Sequence, residues 1–209
     1  MTSTLRIYDL APSPNNFKVR IAAALKGIDY ERVPVSGQDR SNVLEATGQA
    51  MTPAITYGDI KLWDSHAIVR FLDVNFPGPS LFPNDRDALR EVERWEQVAR
   101  AQLMQPVALC FNQMFADAPD PQVLAQANAL AQELTAPIED ALGTTAFLTG
   151  DELNAADIFC ASMVHYSCVP EAQIQPKTIA GFFGSAMQLG PDRPRTREWC
   201  QKVMAHCPE

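Results

Sequence analysis

Between Met51 and Leu72 the chain reads MTPAITYGDIKLWDSHAIVRFL, and this order of residues constrains the fold more than any other stretch. Ala54-Ile55-Thr56-Tyr57 and Ile60-Lys61-Leu62-Trp63 are short apolar-rich runs separated by Gly58-Asp59. Two such runs across a two-residue turn, with glycine supplying a positive φ, predict a β-hairpin. Asp64-Ser65 follows directly, and Ala67, Ile68, Phe71 and Leu72 then recur at helical spacing, so a helix is predicted to begin at Asp64 or Ser65.

The first helical turn has unpaired N–H groups and a partial positive charge, which makes Ser65 a candidate carboxylate ligand. Pro53 at the head of a strand cannot donate to the ladder, and in the cis form it leaves the backbone of Thr52 open for strand-like pairing. Thr52 and Ser65 together suit a small peptide-like ligand.

Ahead of this stretch, Leu5 to Leu10 and Tyr30 to Val35 predict strands on either side of a helix. Ser13-Pro14 gives that helix a capping hydroxyl and a proline at its first position, and Gly27 closes it. Phe17, Ile21 and Leu25 form its apolar stripe, with Lys18, Arg20 and Lys26 expected to face away. A short helix is expected around Asn42 to Ala46. The resulting order β-α-β-(α)-β-β-α is the thioredoxin-like plan, with its first two strands parallel.

Phe76 to Asp85, FPGPSLFPND, carries three prolines and a glycine and is the best linker in the chain. Beyond it strand signals vanish, and Asp85 to Met114 and Pro121 to Leu142 predict long helices that Pro106 and Pro137 should kink or interrupt. In Phe147 to Ala161, Asn154 can cap a helix while the Asp157 carboxylate returns to the Asn154 N–H, a variant capping box. Arg195 to Ala205 is expected as the final helix, with Trp199 and Val203 inward. The expected organisation is an α/β thioredoxin-like domain over 1–76, a linker over 77–85 and an all-α domain over 86–209.

Composition narrows the function classes. A net charge of −8 argues against nucleic acid as the main partner, since that binding needs clustered basic side chains. No window reaches the roughly 20 apolar residues of a membrane span, and MTSTLRIYDL lacks a charged-then-apolar leader, so a cytoplasmic location is expected. The five cysteines, Cys110, Cys160, Cys168, Cys200 and Cys207, contain no CxxC and read as reduced thiols filling the core rather than metal ligands.

Thr52-Pro53-Ala54-Ile55 and Asp64-Ser65-His66-Ala67-Ile68 resemble the "VP-A-L" and "(E/D)-S-x-A-I" motifs of the cytosolic glutathione transferase family, and the Asn154–Asp157 box is similar to that family's helical-domain motif. The resemblance implies the glutathione transferase fold, a cis Pro53, a homodimer and glutathione as co-substrate. It implies γ-glutamyl binding at Asp64 and Ser65, with Met51, Thr52 and Pro53 completing the glutathione site. Ser13 stands a few residues before Lys18-Val19-Arg20, as the catalytic serine does in theta and zeta enzymes, and Lys18 to Val35 extends the zeta likeness. Ser13-Pro14-Asn15-Asn16 departs from the zeta Ser-Ser-Cys-Ser and is similar to the Thr-Pro-Asn-Gly of nu-class enzymes. Asn15 is therefore a second candidate donor to the thiol. A departure also stands at Met51, where the family often has Lys or Gln; Gln49 is a candidate substitute.

The chemistry asks for one thing. A thiol with an unperturbed pKa of ~8.5 must ionise near neutral pH, and a depression of ~2 units requires about 2.7 kcal/mol of selective stabilisation of the anion. A hydroxyl or amide donor at a helix N-terminus supplies it, which makes Ser13 and Asn15 the candidate catalytic residues. No cysteine lies before Cys110, against a cysteine-based mechanism. The expected activity is conjugation of glutathione to a small electrophile, for which Met104, Phe111, Met114 and Phe115 are candidate contacts. A glutathione-dependent disulfide or peroxide reductase and a non-catalytic binding protein are the alternatives. His66 is expected as a surface or packing residue, and no metal is expected.

Overall fold

The structure, a computed structural model, describes residues 3–175 and 177–208. Residues through Phe82, joined by the tail from His206, form one compact unit, and Pro83–Ala205 form a second.

The first unit is built on a four-stranded mixed sheet in the order β2-β1-β3-β4. β1 (Leu5–Asp9) runs parallel to β2 (Tyr30–Pro34) and antiparallel to β3 (Ala54–Tyr57), with Ile7 opposite Ile55. β3 turns through Gly58 (φ 58°) into β4 (Ile60–Trp63), pairing Ala54 with Trp63 and Tyr57 with Ile60. The parallel pair requires a crossover, which α1 (Pro14–Leu25) provides, and α2 (Ser41–Thr47) precedes the hairpin. α3 (Ser65–Asn75) follows β4 and packs beside α1. Ile7, Val19, Ile21, Ile55, Ile68, Val69 and Leu72 are completely buried between these elements. Each such aliphatic side chain contributes about 1.5–3 kcal/mol by leaving water.

The basic residues of α1 do not face away. Lys18, Arg20 and Lys26 are all buried because each finds a polar group inside the unit. Arg20 approaches Asp9, which Arg32 also binds at 2.6 Å. Lys26 Nζ lies 3.0 Å from both Asp73 Oδ1 and the Pro79 carbonyl. The chain after α3 is therefore folded back on the C-terminal end of α1, and the contact is close. A Cβ on Gly78 (φ 116°) would stand 2.8 Å from the Lys26 carbonyl oxygen.

The second unit is helical. α4 (Arg86–Gln97) and α5 (Met104–Met114) are separated by a π-helical segment, Val98–Leu103, an irregularity in the long helix that the sequence leads one to expect from Pro106. Pro106 supplies the reason. Its missing N–H and its ring disrupt the regular i to i−4 ladder at the preceding turn, and a wider turn relieves the clash. α6 (Pro121–Ala141) accommodates Pro137 within one helix. α7 (Ala155–Cys168), α8 (Ile179–Ala186) and α9 (Pro194–Met204) complete the unit.

α7 is the centre of this unit and its capping box forms as the sequence predicts. Asn154 Oδ1 accepts from Ala156 N at 3.0 Å, and Asp157 Oδ2 accepts from Asn154 N at 3.0 Å. The other Asp157 oxygen takes Leu148 N at 2.9 Å and the Trp199 indole N–H at 2.8 Å. Trp199 and Val203 face inward from α9. Cys110, Cys160, Cys168 and Cys200 are buried free thiols, and burial alone pushes Cys110 up to about 11, which leaves it inert. Among the described residues no helix is long and apolar enough to cross a membrane, and no cluster of His, Cys, Asp or Glu could hold a metal ion.

Candidate active site

The polar groups singled out in the sequence converge where α1 and α3 begin. Ser13 is the N-cap of α1 in an extended conformation, followed by Pro14 at the first helical position, and its carbonyl accepts from Asn16 N and Phe17 N. Its hydroxyl does not cap the helix, contrary to expectation. The Ser13 carbonyl takes those two N–H groups, and the half-buried hydroxyl accepts none from its own helix.

Asn15 follows at the second helical position. Its Oδ1 accepts from Lys18 Nζ at 3.0 Å and from Ser65 Oγ at 3.4 Å. One side chain thus joins the starts of the two helices. Asn16, which sequence reasoning passed over, is buried and accepts from Leu10 N at 3.2 Å, closing the loop that presents Ser13. The Ala11–Pro12 bond within that loop is cis.

At α3 the carboxylate of Asp64 is the cap, accepting from His66 N at 3.1 Å and Ala67 N at 3.0 Å. Asp64 has φ 78°, a backbone conformation that non-glycine residues seldom adopt and that clusters at ligand sites. Ser65 is buried, and its backbone N–H has no partner among the described residues. An anion at this helix end would meet that N–H and the positive end of the helix.

The Thr52–Pro53 bond is cis. Pro53 is buried, and the Thr52 backbone makes no hydrogen bond among the described residues. Met51 is 65% exposed beside them. Gln49 does not reach outward as a ligand. Its amide bonds back to Thr47 Oγ1 and to the Met51 backbone, holding the 47–51 turn. His66 is buried, not on the surface, with Nε2 3.0 Å from Lys18 Nζ. In the second unit, Phe111 and Phe115 are exposed near the end of α5 with ring centroids 5.2 Å apart, whereas Met104 and Met114 are half-buried.

A thioredoxin-like sheet with a strand-like backbone at Thr52, unpaired among the described residues, and a capped helix start beside it defines a class of protein suited to gripping an extended peptide and its carboxylate. The family model described as "Glutathione S-transferase, N-terminal domain" matches residues 7–80. The chain is 31% identical over 169 residues to "Glutathione S-transferase Z1" of Arabidopsis thaliana, covering 77% of this chain and 76% of that one. Among solved structures, a glutathione S-transferase from Rhodospirillum rubrum F11 superposes with a TM-score of 0.77 at 24% identity, covering 96% of this chain and 87% of that one. A glutathione S-transferase from Methylobacillus flagellatus KT, with glutathione bound, gives 0.73 at 22% identity over 96% of this chain and 98% of that one. The chain belongs to the glutathione S-transferase family.

Proposed function

We propose that this protein is a cytoplasmic glutathione transferase that ionises the glutathione thiol at Ser13 and Asn15 for attack on a small electrophile. The observation that carries the reading is the Ser13 hydroxyl at the first turn of α1, not engaged by its own helix and followed two residues later by Asn15, which reaches Ser65 on α3. In this reading the γ-glutamyl carboxylate lies on the Ser65 N–H at the start of α3. Asp64 holds that helix end in shape and faces the γ-glutamyl ammonium. The cysteinyl backbone pairs with Thr52 beside Pro53, and Met51 covers the glycyl end.

The sulfur then lies at the α1 N-terminus, where the Ser13 hydroxyl and the Asn15 amide donate to the anion and the helix dipole adds its field. The proton leaves to water, and the thiolate forms the new bond to the electrophilic carbon. No metal takes part.

Calorimetry with glutathione tests binding, and conjugation of chlorodinitrobenzene tests transfer. Ser13→Ala is expected to lower kcat/KM on the order of 10²-fold, the scale of losing one donor to a developing charge. Absence of glutathione binding by the wild-type protein overturns the reading. Full activity in Ser13→Ala with an unchanged thiol pKa removes Ser13 from it.

We also propose that the functional unit is a homodimer. β4 is an edge strand on which Ile60 and Trp63 are 43% and 47% exposed, and Val74 on α3 is 83% exposed. Apolar side chains of this size on an unpaired edge favour a covering partner. Sedimentation of the wild type as a monomer at micromolar concentration would overturn it.

A further inference from the structure

Lys18 is a buried lysine one helical turn beyond the candidate active-site loop, and it is not among the residues assigned above to glutathione. Its ammonium carries only hydrogens, so every hydrogen bond it makes turns an acceptor toward it. Asn15 and His66 each lie 3.0 Å from Lys18 Nζ. Asn15 must therefore offer its carbonyl oxygen, and His66 its unprotonated Nε2. Ser65 Oγ approaches the same Asn15 oxygen from α3, at 3.4 Å.

An asparagine side chain has two faces of nearly identical shape and opposite polarity. With the oxygen held by Lys18 and Ser65, the amide hydrogens point the other way. The Asn15 Nδ2 group makes no hydrogen bond among the described residues. A flipped Asn15 would set Nδ2 against an ammonium, donor to donor, and would turn its carbonyl oxygen toward any anion at the helix start. That arrangement is unfavourable at both ends.

We propose that Lys18 is the positioning residue that fixes the orientation of the Asn15 amide, so that Asn15 meets the glutathione sulfur as a donor. The inference rests on the transferase reading given above. It assigns Lys18 no contact with glutathione. It acts on the sulfur through Asn15, and His66 and Ser65 on α3 complete the clamp.

The test is a cycle of variants read by the thiol pKa of bound glutathione, followed by ultraviolet absorbance of the thiolate against pH. Lys18→Met should raise that pKa by about 1, the scale of losing one hydrogen bond to a charged group. Binding of S-methylglutathione, which has no thiol to ionise, should stay within about twofold, and Lys18→Arg should restore most of the loss. Asn15→Ala should raise the pKa by a similar amount, and adding Lys18→Met to it should change nothing further. Equal effects of Lys18→Met with and without Asn15 would overturn the proposal, because the charge would then act on sulfur directly. An unchanged pKa in Lys18→Met would also overturn it. Asn15→Asp keeps the oxygen that Lys18 needs and loses the amide hydrogens, so it tests the same point if Lys18→Met fails to fold. It should raise the thiol pKa at least as much as Asn15→Ala, and a pKa at the wild-type value would overturn the proposal. If the wild-type protein binds and ionises glutathione while these variants leave the pKa in place, only this inference fails. If the wild type does not bind glutathione, the transferase reading fails with it.

Discussion

Four helix starts divide into two kinds. At α7 and α9 the carboxylates of Asp157 and Glu139 are fully engaged by the protein. Asp157 is completely buried and takes Leu148 N, Asn154 N and the Trp199 indole, while Glu139 reaches from α6 to accept Arg195 N, Thr196 N and Thr196 Oγ1. At α1 and α3 the same kinds of groups are only partly engaged. The Ser13 hydroxyl caps nothing in its helix, the Asn15 amide nitrogen is unpartnered among the described residues, and so is the Ser65 backbone N–H. A helix start whose carboxylate is fully engaged from within holds the fold together. One that keeps side-chain donors such as the Ser13 hydroxyl and the Asn15 amide unengaged is prepared for a ligand.

The sharpest way to break this contrast is Asp157→Ala. It leaves three donors, two of them buried, without an acceptor and should cost about 3 kcal/mol or more of unfolding free energy, read by urea denaturation. The folded fraction should bind glutathione with unchanged affinity, and a weakened affinity would mean the box is not purely structural. Asp64→Ala should cost about 1 kcal/mol, the value of a lost cap, and should also weaken glutathione binding by about tenfold. An effect on stability alone would move α3 to the closed group.

Glu139 gives the contrast a pH signature. Burial pushes its carboxyl up, but the hydrogen bonds from Thr196 and Arg195 outweigh this and hold it below the usual range. Its stabilising contribution is therefore present above the ordinary glutamate value of 4.5 and is lost as pH falls through the depressed folded value. The stability gap between wild type and Glu139→Gln should be open at pH 7 and narrow below about pH 4.5, by roughly 1 kcal/mol in chemical denaturation. Ser13→Ala should move stability least, by under about 0.5 kcal/mol, because no cap is removed; a cost near 1 kcal/mol would show the hydroxyl capping its helix in solution.

Much of this was legible in the sequence. The hairpin around Gly58-Asp59, the helix start at Asp64-Ser65 and the Asn154–Asp157 box are local patterns whose partners lie within a few residues, and all three form. The thioredoxin-like plan follows from the order of such patterns. What sequence reading missed depends on partners far along the chain. Lys18, Arg20 and Lys26 look like a solvated face until His66, Asp9 and Asp73 are brought against them. Residue type and position mark Ser13 as a cap, and whether its hydroxyl turns to the helix is not encoded in that local pattern. α8, with two glycines in eight residues, shows little in sequence beyond Thr178, whose hydroxyl accepts from Gly181 N.

Gly78 carries a different lesson. Its neighbours on either side are prolines, and the stretch resembles any exposed connector in composition. Yet the site leaves no room for even a methyl group against the Lys26 backbone. Saturation mutagenesis across 76–85 should show Gly78 as intolerant as the buried Leu81, although nothing in its composition marks it, and the alanine replacement there should loosen the grip of Lys26 on Asp73 and Pro79.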